Sequence, residues 1–472
     1  MHGLGRRCAH KQEPPNSDLL EPIIARRALP DRLDPPTMPT LDRWLHFLDP
    51  PVELNFRELT LMGRDFSPPI AVGRGTVRIP TLHTFEYSMR ARVDDPGYAQ
   101  AALLRQRQNP YDTLSAFRLF GIDTDGMEWT LGWTVPAVKR DSDQWHFSGD
   151  LQGICPHDNS DSVSNSSDTE LVFVIPRNHP AALSITRFAT ATHDGARCTH
   201  ELSALGSTIR FTYDSTRCAL FISATHSSDL PPTLTENWLG EPLRILFGDL
   251  LYPRLVARNL GERRSHIFVR RSPQLARSKS WAALWGREWS SQPKEAFWTQ
   301  YADLLSLIAC ARGKDGHPNF EANKITQLYE EVIQSSNGTR WVWALTFASS
   351  IEGLVDMLGL TGQPRGDVDE AAKTELLAHI KSWPGDGRLK NSAIQAVQRS
   401  SRLSTVDVLR KLAADDAISK YQLDAWQEIR NSVMHGKLVS PYSTEEEDKQ
   451  LLALIELLHS LTRTVLQHGS TS

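Results

Sequence analysis

The spacing of apolar residues changes near residue 290, and no single layer of secondary structure satisfies both spacings. Before that point apolar side chains alternate with polar ones, as in Phe85, Tyr87, Met89, Ala91 and Val93. After it they recur every three or four residues, as in Phe297, Tyr301, Leu304, Leu305 and Ile308. A period of two puts one face of a strand in a core, and a period of about 3.6 puts one stripe of a helix there. The expected fold class is therefore α+β and multidomain, with a β-rich N-terminal domain followed by an all-α C-terminal helical bundle. At 472 residues the chain is too long for one ordinary core.

Four segments are expected: a flexible Pro- and Arg-rich extension over 1–40, a β-rich domain over 41–290, connecting helices over 291–339, and the helical domain over 340–472. In the β-rich part Ala116 to Val135 reads as a hairpin around Asp123-Thr124-Asp125-Gly126, because Gly126 can take the positive φ of such a turn. A second hairpin is expected from Thr208 to Ala224 with Asp214-Ser215-Thr216 at its tip. Leu171 to Ile175 is a short apolar strand, and the polar stretch 155–168 is a surface loop. Residues 237–258 read as one embedded helix, and His266 to Val269 as a closing strand, in a sandwich-like half.

In the C-terminal part, Pro293 suits the first turn of a helix. Helices are expected over 322–335 and 340–358, the latter apolar nearly all round and so central to a bundle. The next is capped by Asp367 and stopped by Pro384-Gly385, and shorter ones follow over 387–400 and 404–413, with Ser404 as cap. The helix over 420–435 has Tyr421, Trp426, Ile429 and Val433 on its buried side and ends at Gly436. The last helix starts from Ser443 and Glu446 as a capping box.

No apolar run is long enough for a membrane span, and the N-terminus lacks the apolar core of a secretory signal, so a cytoplasmic protein is expected. The five cysteines form no CxxC pair, so neither a zinc site nor a disulfide framework is expected, and no cofactor is called for. With a formal net charge of −4, attraction to nucleic acid must come from local patches.

The sharpest chemical signal is Arg430-Asn431-Ser432-Val433-Met434-His435. RNA can be cut without metal when its own 2′-hydroxyl is the nucleophile. The enzyme must then supply a base, an acid and donors for the charge that builds on phosphorus. Histidine titrates near neutral pH. Arginine keeps its charge and offers phosphate a two-pronged fork. Asn431 can orient the phosphate or the imidazole. Five residues of ideal helix turn by about 140°, so Arg430 and His435 share no face unless the helix ends near Met434 and His435 turns toward the arginine. The plainer alternative is a surface ion pair for Arg430 and a helix C-cap for His435. Glu352 either supports the site or pairs with a nearby arginine. His379, His459 and His468 have no partners at useful spacing and read as structural or exposed.

This segment resembles the HEPN superfamily, whose ribonuclease members carry an arginine and a histidine a short spacer apart, commonly with Asn straight after the Arg. The resemblance extends to Ser349-Ser350-Ile351-Glu352-Gly353-Leu354, which looks like the family's first helix, and to the long final amphipathic helix. It covers about the last 130 residues. The β-rich half joined to it, with Gly75-Thr76-Val77-Arg78-Ile79 and Trp238-Leu239-Gly240-Glu241-Pro242-Leu243, resembles the layout of ApeA-type anti-phage proteins. The resemblance implies a metal-independent endoribonuclease in antiviral defence. It would leave 2′,3′-cyclic phosphate and 5′-hydroxyl ends, with RNA, tRNA included, as substrate and a phage-derived trigger read by the β-rich half. A non-catalytic RNA- or protein-binding module is the alternative. Because one chain offers one histidine where a base and an acid are needed, a homodimer or higher even-numbered oligomer is expected, with the motif near a two-fold axis.

Two basic stretches bear on substrate. Arg388, Lys390, Arg399 and Arg402, with Lys437, are candidate RNA contacts. The run Arg254, Arg258, Arg263, Arg264, Arg270, Arg271, Arg277 and Lys279 reads either as a solvated face or as a phosphate track toward the site.

Overall fold

The computed structural model describes residues 38–469, apart from 39, 64–67, 110–115, 142–143, 158–167, 192–194, 262–263, 276–281, 286–292, 314, 319–322, 367–368, 437–441 and 443. The chain is α+β, with strands gathered in the N-terminal half and helices in the C-terminal half. A short 3-10 turn at Asp42–Leu48 leads into β1 (Val52–Met62), β2 (Ala71–Thr81) and β3 (Thr84–Arg92). Helix α1 (Pro96–Gln108) precedes β4 (Phe117–Asp123), β5 (Glu128–Thr134), β6 (Ala137–Asp141), β7 (Gln144–Asp150) and β8 (Gly153–Pro156). These pair antiparallel in the order β8-β5-β4-β1-β2-β3-β7-β6. Thr134 Oγ1 at the end of β5 donates to the Asp150 carbonyl at the end of β7, so the sheet curls back on itself. Its inner side carries Phe85, Tyr87, Met89 and Ala91, the alternation expected of β3.

A second set follows: β9 (Asp168–Val174), α2 (Pro180–Phe188), β10 (Thr190–Ala191), β11 (Arg197–Ala204), β12 (Ser207–Asp214), β13 (Ala219–Thr225), α3 (Pro232–Phe247), β14 (Leu255–Asn259) and β15 (Ser265–Arg270). Strand β8 pairs with both β5 and β15 and joins the two sets into one ladder. Both expected hairpins form, β4–β5 with Gly126 at φ 91° and β12–β13 with Asp214 accepting from the turn amides of Thr216 and Arg217.

The middle strands of the second set, β9, β13 and β14, are buried on both faces. Val172, Phe221, Leu255 and Val269 face the core of the first sheet, and Leu171, Phe173, Phe211 and Leu220 face the helices. Against that second face lie α3 and α4 (Lys294–Cys310), then α5 (Lys324–Ser335), α6 (Arg340–Met357), α9 (Thr405–Ala414), α10 (Lys420–Met434) and α11 (Glu445–Gly469). Helices α7 (Glu370–Ser382) and α8 (Gly387–Ser400) bury no residue. They form an arm whose base is pinched by hydrogen bonds from Gly362 and Arg365 amides to the Leu403 and Ser401 carbonyls.

Several expectations shift. The helix read over 237–258 stops at Phe247, because Gly248 takes a left-handed conformation (φ 57°) and caps it; the remaining apolar residues lead into β14. Pro293 is the residue before the helix, not its first turn. Asp369 caps α7, while Asp367 lies outside the described residues, as does Ser443. Tyr421 is 50% exposed instead of buried. Helix α6 is also less central than its composition suggests, for Val342 is 38% exposed and Trp341, Trp343 and Leu345 are only half-buried.

The largest correction concerns the basic run. Arg254 is fully buried and donates only to carbonyls, those of Phe47, Leu82 and Arg270. Arg258 and Arg270 both pair with the buried Glu236, and Arg271 donates to the Leu151 and Phe85 carbonyls. Arg254 and Arg258 are internal fasteners, and Arg270 and Arg271 are braced by Glu236 and by backbone carbonyls, so the run is not one continuous solvated track. The sequence shows only their charge, because their acceptors are backbone groups and one acid on a distant helix.

Glu170 on β9 holds the start of the described chain, accepting from the amides of Thr40 and Leu41. Burial pushes its carboxyl up to about 7 from an unfolded value of 4.5, with Asp168 adding to the rise. A folded pKa above the unfolded one means that the folded protein binds the extra proton. The resulting stability is complete below pH 4.5 and is lost as pH rises through 7. At about 1.4 kcal/mol per unit, the loss is on the order of 3 kcal/mol. Glu170→Gln is therefore expected to flatten the decline in urea midpoint between pH 5 and pH 8; an unchanged slope would exclude Glu170 as its source.

Candidate functional site

Helix α10 is set by its sequence at both ends. Ser419 and Gln422 form a reciprocal capping box at the start, and Gly436 takes φ 72° just beyond the end. Leu423, Trp426, Ile429 and Val433 form its buried stripe. Helix α6 begins at Thr339, whose side chain accepts from the Val342 amide, and buries Phe347, Ile351 and Leu354. The two helices are pinned where Trp426 Nε1 donates to the Ala348 carbonyl at 3.3 Å.

One turn beyond that pin on each helix lie Arg430 and Glu352. Arg430 Nε donates to Glu352 Oε1 at 2.5 Å, and the guanidinium carbon lies 5.7 Å from the centre of the Trp426 ring. Their side chains are 38% and 39% exposed, so solvent screens the pair and its contribution to stability is about 0.2–1 kcal/mol. Its effect is to fix direction. With Nε held by the carboxylate and the indole beneath, the guanidinium has few rotamers left. Among the described residues its two terminal nitrogens have no partner.

Asn431 and His435 are exposed, and the His435 amide donates to the Asn431 carbonyl at 3.1 Å, so they are successive residues on one helix edge. The helix ends at Met434 as the sequence suggests, but His435 keeps a near-helical backbone (φ −91°, ψ 10°). The chain leaves the axis only at Gly436. The turn expected to bring His435 toward Arg430 therefore does not occur within one chain, and the imidazole has no partner among the described residues. Met434, between them in sequence, is 64% exposed.

Of the other expected residues, Arg388, Lys390 and Arg399 sit on α8 of the arm and Arg402 at its base. Lys390 Nζ donates to the Lys381 carbonyl, tying the two helices of the arm together. None of the four bonds to Arg430, Asn431 or His435. Lys437 lies outside the described residues. His459 is half-buried, bonded to the Ala282 carbonyl and held down to about 4 by desolvation, which makes it a neutral structural group. Among the described residues no group of three or more His, Cys, Asp or Glu side chains could hold a metal ion. The residue that sequence reading missed is Trp426, assigned only to the core. Its position four before Arg430 puts both on one face, a signal that was present.

Comparison with protein-family models, with curated proteins and with solved structures finds no match to this chain.

Proposed function

We propose that the helical half is a metal-independent endoribonuclease whose working parts are Arg430, Asn431 and His435. The observation that carries this reading is the posture of Arg430. Glu352 and Trp426 hold its base, the side chain is 38% exposed, and among the described residues the tip of the fork has no partner. That arrangement presents two parallel donors to a phosphate with little freedom to lose. The exposed Asn431 and His435 lie along the same helix end. In this scheme His435 exchanges protons with the 2′-hydroxyl or the leaving 5′ oxygen, Arg430 bears the charge on phosphorus, and Asn431 orients the phosphate. The exposed Arg388, Arg399 and Arg402, with the half-buried Lys390, offer further backbone contacts. Resemblance to ApeA-type proteins sets the activity in the cytoplasm, in antiviral defence. No described helix is long and apolar enough to cross a membrane.

The scheme also calls for a second chain. Within one chain no described bond joins His435 to Arg430, and one imidazole cannot be base and acid in the same step. A two-fold axis beside Met434 would bring the His435 of one copy toward the Arg430 of the other and cover that methionine. Sedimentation at micromolar concentration is expected to show a dimer or even-numbered oligomer; a strict monomer with full activity would refute the composite site.

A binding-only module is the second reading. It is favoured by the Arg430–Glu352 pair, which takes the Nε donor and offsets the charge. Incubation of the full chain with total tRNA in EDTA separates the two. Cleavage that survives chelation supports the nuclease. RNA shifted but left intact supports the binding module, and cleavage lost in EDTA and restored by magnesium would place the reaction in another class.

A further inference from the structure

A cleft of about 480 Å³ opens on the β-rich half, lined by His83, Gln152, Tyr252, Arg270, Arg271 and Ser272 among others. Its volume is that of a small-molecule site. We propose that this cleft binds a small phosphorylated molecule of nucleotide size. The inference is independent of the ribonuclease reading.

The charge around the cleft is unbalanced. Among the described residues the network behind it joins Arg258, Arg270 and Arg271 to Glu236 and the mostly exposed Asp150, which is 3.8 Å from Arg271, while Glu330 beside Tyr252 is matched by Arg244. Among the described residues Arg254 bonds to carbonyls and to no carboxylate. The lining arginines are also braced. Arg271 is held by Nε on the Leu151 carbonyl at 2.6 Å and by Nη2 on the Phe85 carbonyl, and Arg270 is held by Nη1 on Glu236. A guanidinium has five N–H donors, so each retains several for a ligand while its direction is fixed.

Polar groups between them complete the lining. His83 Nδ1 lies 2.6 Å from the Ser272 carbonyl. Among the described residues the buried Ser272 hydroxyl has no partner, and Gln152 is exposed at the rim. Phosphate is the chemical group that several fixed guanidiniums and neutral donors recognise together, since its oxygens accept from all of them. On the far side Tyr252 donates to Glu330 of α5 at 3.0 Å, so one wall of the cleft is bonded to the helical half.

Titration calorimetry on the full chain tests the inference with ATP, AMP, inorganic phosphate and adenosine as probes. ATP or AMP is expected to bind, phosphate to compete, and adenosine not to bind. Gln152→Glu places a carboxylate at the rim without disturbing a described bond, and is expected to weaken nucleotide binding at least tenfold. Arg271→Gln is expected to do the same, with circular dichroism confirming the fold. Adenosine binding as tightly as AMP would overturn the proposal. So would affinity for AMP unchanged in folded Gln152→Glu, which would place the nucleotide elsewhere, or no binding of any phosphorylated probe at millimolar concentration.

Discussion

RNA cleavage by His435→Ala is expected to fall by about 10²–10⁴-fold, the range for removal of a general acid or base. Arg430→Ala is expected to lose a similar amount, about 10²–10³-fold for a lost donor to developing charge. Both side chains are at least a third exposed, and neither carries the packing of α10, which rests on Trp426, Ile429 and Val433. Thermal unfolding should therefore move little, within about 1 kcal/mol. Arg430→Lys keeps the charge but loses the fork, and should recover only part of the activity. If folded His435→Ala cuts RNA at the wild-type rate, the imidazole has no part in the chemistry.

Arg254→Ala is expected to be the most damaging single change to stability in the β-rich half. The substitution opens a cavity at a fully buried position and takes the arginine donor from the carbonyls of Phe47 and Arg270, while Leu82 keeps the Ser272 amide. Each stranded buried acceptor costs about 1–3 kcal/mol, and large-to-small changes in a core cost about 2–5 kcal/mol. A loss of at least about 4 kcal/mol is expected, read as a shift in the urea midpoint. The salt dependence of RNA binding should stay as it is in whatever protein remains folded. A stable Arg254→Ala protein with a reduced salt slope would restore the run to the role of a phosphate track.

Local signals in the chain were enough to place many elements. Gly126, Ser404 and Gly436 each mark a turn or helix end by a backbone or capping requirement that few residues meet. What depends on distant partners was not legible. Leu171 and Val172 are adjacent apolar residues that enter different cores, and only the tertiary arrangement says which. Leu250 and Leu251 continue the apolar pattern of α3, yet Gly248 has already ended it. At the site, the spacing of Arg430 and His435 was visible, and so was the angle between them. The anchoring of Arg430 by Glu352, 78 residues away, was only one of two open readings. A histidine from a second copy is a demand of the chemistry that no one-chain pattern can display.

The chemistry of the cut ends tests the central claim most directly. RNA digested by the full chain in EDTA, with His435→Ala as control, can be read by mass spectrometry for its terminal groups. Attack by the 2′-hydroxyl predicts 2′,3′-cyclic phosphate and 5′-hydroxyl ends, formed by the wild type and not by the variant. Fragments ending in 3′-hydroxyl and 5′-phosphate would contradict it, because they require water as the nucleophile.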